Sequence, residues 1–186
     1  MTADRSITEL IRVNHRRRIP EAAVWVGGYS DASVSQARDR AGIAWWVRGP
    51  TLRVVSHEPA PPWVKDVGLA ELAGVCRAIK EAFIIHGVTP LDAISVRTDN
   101  QQVARAMGWR KGKRWVYKSY GLDWDREIRQ AFHRAEILGI LLRVSWTKGH
   151  AGGQTTQSYL NERVDKLARL ARYGQRGRLV GAAMPT

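Results

Sequence analysis

Four acidic residues stand out in a chain that has few of them. Asp31 lies in Tyr29-Ser30-Asp31-Ala32-Ser33, Glu71 in Ala70-Glu71-Leu72-Ala73, Asp99 in Thr98-Asp99-Asn100, and Asp165 in Asn161-Glu162-Arg163-Val164-Asp165. The 186 residues carry 30 Lys plus Arg against 17 Asp plus Glu, a formal charge of +13. Acids placed beside apolar neighbours in so basic a chain call for a reason. Singly, each has an ordinary use: an Asp at a strand end caps a turn, and a Glu in a first helical turn favours the dipole. Together they can do chemistry. Crowded carboxylates repel one another, and burying them is costly unless cations compensate. Hard oxygen donors with no cysteine among them select Mg²⁺ or Mn²⁺ rather than zinc. Two such ions about 4 Å apart can activate a water and hold the leaving oxygen of a phosphodiester.

The elements that must position these acids follow from periodicity. Three β-like segments, Ala22–Asp31, Gly42–Val47 and Leu52–His57, form a meander with Gly49-Pro50 as a turn. From about Val67 the apolar period becomes helical through Leu69, Leu72, Cys76, Ile79 and Phe83. A strand over Ala93–Asp99, a short helix over Asn100–Met107, a helix over Leu122–Gly139, a strand over Leu141–Trp146 and a helix over Tyr159–Arg172 complete the series. Three meandering strands followed by strands alternating with helices predict a mixed sheet with helices on both faces. Open α/β sheets place their sites outside strand ends, so Asp31 and Asp99 meet if their strands are neighbours. Residues 1–20, with the run His15-Arg16-Arg17-Arg18, read as a basic arm. Residues 175–186 read as a flexible basic tail, leaving 21–174 as the catalytic domain.

The surplus of cationic charge makes a polyanion the expected partner. From Asn100 to Leu122 there is no acid, and Trp109-Arg110-Lys111-Gly112-Lys113-Arg114-Trp115 interleaves cations with aromatic rings. Such a segment can neutralise phosphates and stack on bases or sugars.

These motifs resemble the type 1 ribonuclease H family over roughly Val24 to Ala171. Tyr29-Ser30-Asp31-Ala32-Ser33 is similar to its first-strand signature, Ala70-Glu71-Leu72-Ala73 to its helix motif, and Thr98-Asp99-Asn100-Gln101 to its next strand end. Lys148-Gly149-His150-Ala151-Gly152 with Asn161-Glu162-Arg163-Val164-Asp165 is similar to its closing block. The resemblance implies an α/β ribonuclease H-like fold: a five-stranded mixed sheet, three antiparallel strands then two parallel, flanked by helices. It implies Asp31, Glu71, Asp99 and Asp165 as ligands of two Mg²⁺ ions, with Mn²⁺ as a possible substitute. It also implies His150 as an aid to proton transfer or product release. Ser33, Asn100, Gln101, Trp109, Arg110, Lys111, Lys113, Arg114 and Trp115 are expected to touch nucleic acid. The implied reaction is cleavage of the RNA strand of an RNA/DNA hybrid, leaving 5′-phosphate and 3′-hydroxyl ends. Ala32 stands where the family has glycine, and the segment from His150 to Asn161 is longer than usual.

Two other readings are kept. One is a structure-selective, junction-resolving DNA nuclease on the same fold. The other is a non-catalytic nucleic-acid-binding module. The lone Cys76 excludes an intrachain disulfide, and neither a membrane-length apolar run nor a secretory leader is visible. The expectation is therefore a cytoplasmic monomer with no membrane partner.

Overall fold

A computed structural model describes residues 5–37, 39–108, 117–148 and 156–182. Six strands form one sheet in the order β5-β4-β1-β2-β3-β6. These are β1 (Trp25–Val34), β2 (Ala41–Arg48), β3 (Leu52–Pro59), β4 (Ala93–Thr98), β5 (Leu141–Trp146) and β6 (Gly177–Ala182). β1, β2, β3 and β6 pair antiparallel in turn, while β1 with β4 and β4 with β5 are parallel. The sheet thus has six strands rather than the expected five.

The central helix α2 (Val67–Val88) starts where Asp66 Oδ1 accepts the Leu69 N–H at 2.8 Å. Such a cap satisfies one of the four donors that a helix start leaves unpaired. α2 is buried along most of its first five turns, from Leu69 through Leu72, Val75, Ile79 and Ala82. It packs on one face of the sheet with α4 (Leu122–Ile137), whose Trp124, Ile128 and Phe132 close the large core. Among the described residues the opposite face carries α5 (Thr156–Arg172), which buries Val164 and Ala168 against Tyr29 and Ala44. α5 lies very close to β2. A Cβ on Gly42 would fall 2.2 Å from Arg172 N and 2.3 Å from Ala168 O, so no larger residue fits there.

Two findings correct the expectation for the ends of the chain. The supposed basic arm contains α1 (Ile7–His15), capped by Ser6, whose Ile7, Leu10 and Ile11 enter the core. Those apolar positions recur at helical spacing, and Arg12, the one arginine within α1, is exposed. The buried Asn14 of α1 acts as a stand-in for a neighbouring strand. Its Nδ2 donates to Ile140 O at 2.9 Å and its Oδ1 accepts from Leu142 N at 3.0 Å. That pairing covers backbone groups at the outer edge of β5, which would otherwise be exposed. The supposed flexible tail contains β6, held to β3 through Val54↔Val180 and Val55↔Leu179 and by the ion pair of Arg178 with the buried Glu81 at 2.6 Å. No helix of the described residues is long and apolar enough to cross a membrane.

Candidate active site

The pairing of β1 with β4 ends at Tyr29↔Arg97, and the two strands carry their acids just beyond that point. Asp31 lies on β1, and Asp99 follows β4 immediately before α3 (Gln101–Ala106). Glu71 projects from the first turns of α2. Ligand atoms of Asp31, Glu71 and Asp99 all lie within 4.8 Å of one another. The surrounding backbone is held firmly. Asn100 caps α3 by accepting the Val103 N–H at 3.0 Å, and its own N–H donates to Thr98 Oγ1 at 3.1 Å. The indole Nε1 of Trp146 donates to Asp99 O at 3.0 Å. Thr147 N adds a bond to Thr98 O at 2.9 Å.

The electrostatics are unfavourable without a cation. Burial, then the charges of Asp99 and Asp165, push Asp31 up to about 7, although the Ala32 N–H donates to its Oδ1 at 2.7 Å. Glu71 is pushed well above the ordinary carboxyl range, first by burial and then by the charges of Asp31 and Asp99. Its carboxyl is hydrogen-bonded to Asp31, and its Oε2 is buried with no hydrogen-bond partner. The physical cause is shared: like charges in a poorly solvated crevice cannot all ionise, so the pair retains a proton. An all-carboxylate set, with Asp31 and Glu71 buried, Asp99 half-buried and the Glu71 Oε2 orphaned, fits a divalent cation such as Mg²⁺ or Mn²⁺.

Asp165, on α5, is not one of the three. Its two oxygens accept from Arg169 one turn further on, Nε to Oδ1 at 3.1 Å and Nη2 to Oδ2 at 2.7 Å. Its negative charge still reaches Asp31. Of the residues expected to touch nucleic acid, Ser33 lies on β1 beyond Asp31 and is half-buried. Asn100 has committed its side-chain oxygen to the cap of α3. Gln101 is exposed and accepts from Arg105 at 3.3 Å. Trp109, Arg110, Lys111, Lys113, Arg114, Trp115 and His150 lie outside the described residues. The sequence reading missed Trp146 and Arg169. Arg169 was legible as a cation four residues after Asp165 on a helix. The tie from Trp146 to Asp99 joins two strands remote in sequence and had no local sign.

The strand order and the packing of α2 and α5 on opposite faces of the sheet are those of the ribonuclease H-like fold. Solved structures agree. LC11-RNase H1, isolated from compost by a metagenomic approach and solved in complex with an RNA/DNA hybrid, superposes with a TM-score of 0.59 at 16% identity, over 80% of this chain and 96% of that one. LC9-RNase H1, a type 1 RNase H with the type 2 active-site motif, matches with a TM-score of 0.54 at 19% identity, over 88% and 79%. The N-terminal RNase H domain of a Mycobacterium tuberculosis protein matches with a TM-score of 0.50 at 15% identity, over 81% and 95%. No protein-family signature and no curated protein matches the chain by sequence.

Proposed function

We propose that the chain is a metal-dependent nuclease that cuts the RNA strand of RNA/DNA hybrids. The carrying observation is the convergence of Asp31, Glu71 and Asp99 within 4.8 Å on a fold shared with LC11-RNase H1, which was solved with such a hybrid. A pair of bound divalent ions would supply an activated water and stabilise the leaving 3′ oxygen. In this reading Asp31, Glu71, Asp99 and, once Arg169 releases it, Asp165 would hold the ions, with Glu71 and Asp99 serving the leaving-group side, Asp165 the water-activating side and Asp31 both. His150 assists proton transfer or product release. The basic segment Trp109–Trp115, with Ser33, Asn100 and Gln101, grips the substrate. The products carry 5′-phosphate and 3′-hydroxyl ends. The lone cysteine, Cys76, is buried and its thiol is pushed up to about 12 by that burial. It therefore takes no part in the chemistry, and the protein is read as a cytoplasmic monomer.

The test is cleavage of end-labelled RNA/DNA hybrid, double-stranded RNA, duplex DNA and a four-way DNA junction, with Mg²⁺, Mn²⁺ or chelator. Metal-dependent cutting confined to the hybrid's RNA strand and abolished by Asp99→Asn is expected. Faster cutting of the junction would move the substrate to DNA while keeping the site. Binding without cutting of any substrate would leave a nucleic-acid-binding module.

A further inference from the structure

α5 packs on β1, β2 and β3; over β4 and β5 on the same face Arg143 is exposed and Ser95, Arg97 and Ser145 are half-buried among the described residues, while Ala93 and Leu141, in the row of Trp25, are buried. Strand alternation decides what shows there. Val26, Val96 and Val144 turn into the core, so Trp25, Gly27, Ser95, Arg97, Arg143 and Ser145 turn the other way. The register aligns them in rows: Gly27 with Ser95 and Arg143, and Tyr29 with Arg97 and Ser145. Two arginines, a tryptophan, small hydroxyls and a glycine make up this patch, and no acid is among them.

The cations are already arranged around aromatic rings. Arg143 reaches across β4 to lie over the Trp25 ring, 5.8 Å from its centroid, and Trp25 is 39% exposed. Arg97 donates to Tyr29 Oη at 2.7 Å and lies 5.6 Å from the centre of that ring. A Cβ built on Gly27 meets nothing within 4 Å, so the centre of the patch has clear space above it. Asp31 and Asp99 have the same strand parity as Trp25 and Arg97, and the length of β1 from Trp25 to Asp31 is about 20 Å; Tyr29, between them, is buried against α5, so the way to the site runs along β4 past Ser95 and Arg97.

We propose that this face binds a single-stranded extension of the nucleic-acid substrate, its bases stacking at Trp25 and its phosphates meeting Arg97 and Arg143. The inference rests on the nuclease reading for the direction in which the strand leaves, but not for its binding. Aromatic stacking beside arginine on a flat sheet suits unpaired bases, whereas a duplex hides its base faces. An acidic peptide would find the same charge but no use for the exposed indole.

The test is fluorescence anisotropy in chelator, where nothing is cut. The ligands are a blunt hybrid, the same hybrid with a single-stranded extension of about ten nucleotides, and that single strand alone. The readout is the ratio of extended to blunt affinity. For the wild-type protein the extension tightens binding about tenfold, and Trp25→Ala and Gly27→Glu each return the ratio to near one. Gly27→Glu places an acid into open space, so a folding defect does not confuse it. The proposal is overturned if the extension adds nothing to the wild type, or if both variants keep the gain. It is also overturned if poly-glutamate displaces the single strand as well as an oligonucleotide does. Failure of the nuclease reading would look different: the single strand would still bind, and lose binding in Gly27→Glu, while no hybrid is cut in Mg²⁺.

Discussion

Replacing Asp31 by asparagine should make the metal-free protein more stable while removing the proposed nuclease activity. Asp31 titrates near 7 in the fold against 3.8 ordinarily, because burial and the charges of Asp99 and Asp165 oppose its ionisation. A carboxyl that holds its proton more tightly when folded favours folding below its unfolded value. That advantage is lost as pH rises between the two values. Above about pH 7 the ionised group therefore costs of order 4 kcal/mol. Asparagine keeps an oxygen to accept the Ala32 N–H but carries no charge. Its own burial offsets part of the gain, so a net stabilisation of about 2–4 kcal/mol is expected, or roughly 5–10 °C in Tm for a chain of this size. The assay is thermal unfolding of wild type and Asp31→Asn in chelator, from about pH 4 to about pH 8. The gap should be widest at the alkaline end and shrink below about 1 kcal/mol near pH 4, where both proteins are uncharged at this position. Adding Mg²⁺ or Mn²⁺ should raise the Tm of the wild type and move the variant far less. A variant no more stable than wild type in chelator at the alkaline end, or a gap independent of pH, would refute the reasoning.

Two further outcomes follow from the same contacts. Arg169→Ala frees both oxygens of Asp165, so titration calorimetry should show Mn²⁺ binding several-fold tighter than in wild type; equal or weaker binding would mean the arginine does not compete with the metal. Asn14→Ala strips the partners from Ile140 O and Leu142 N and should cost about 2–4 kcal/mol in urea unfolding, with hydrogen exchange at Leu142 accelerated ahead of the strands on the β6 side of the sheet.

The legibility of this chain differs from one element to the next. β1 to α5 could be read because their apolar residues keep a period of two or of helical spacing, with Gly49-Pro50 marking a turn. α1 carried an equally regular stripe, Ile7, Leu10, Ile11 and Asn14, but the density of arginine around it suggested a solvated arm. β6 offered less. Gly177-Arg178-Leu179-Val180-Gly181-Ala182 has weak strand propensity, and what makes it a strand is its ladder with β3, whose residues precede it by more than half the chain. Pairing partners that distant leave no local trace.

The identity of the acids was a property of the sequence, since carboxylates beside apolar positions in a basic chain are conspicuous by type alone. Their geometry was not. Whether four such groups converge depends on strand order and on where α2 and α5 cross the sheet, and the fold brings Asp31, Glu71 and Asp99 together while Arg169 holds Asp165. The face at Trp25, Arg97 and Arg143 belongs wholly to the tertiary structure. Each residue is unremarked in its own strand, and only parallel pairing across β1, β4 and β5, with α5 covering β1–β3, sets them side by side. Chemistry type is local to a side chain, whereas proximity and exposure are set by contacts between segments far apart in sequence.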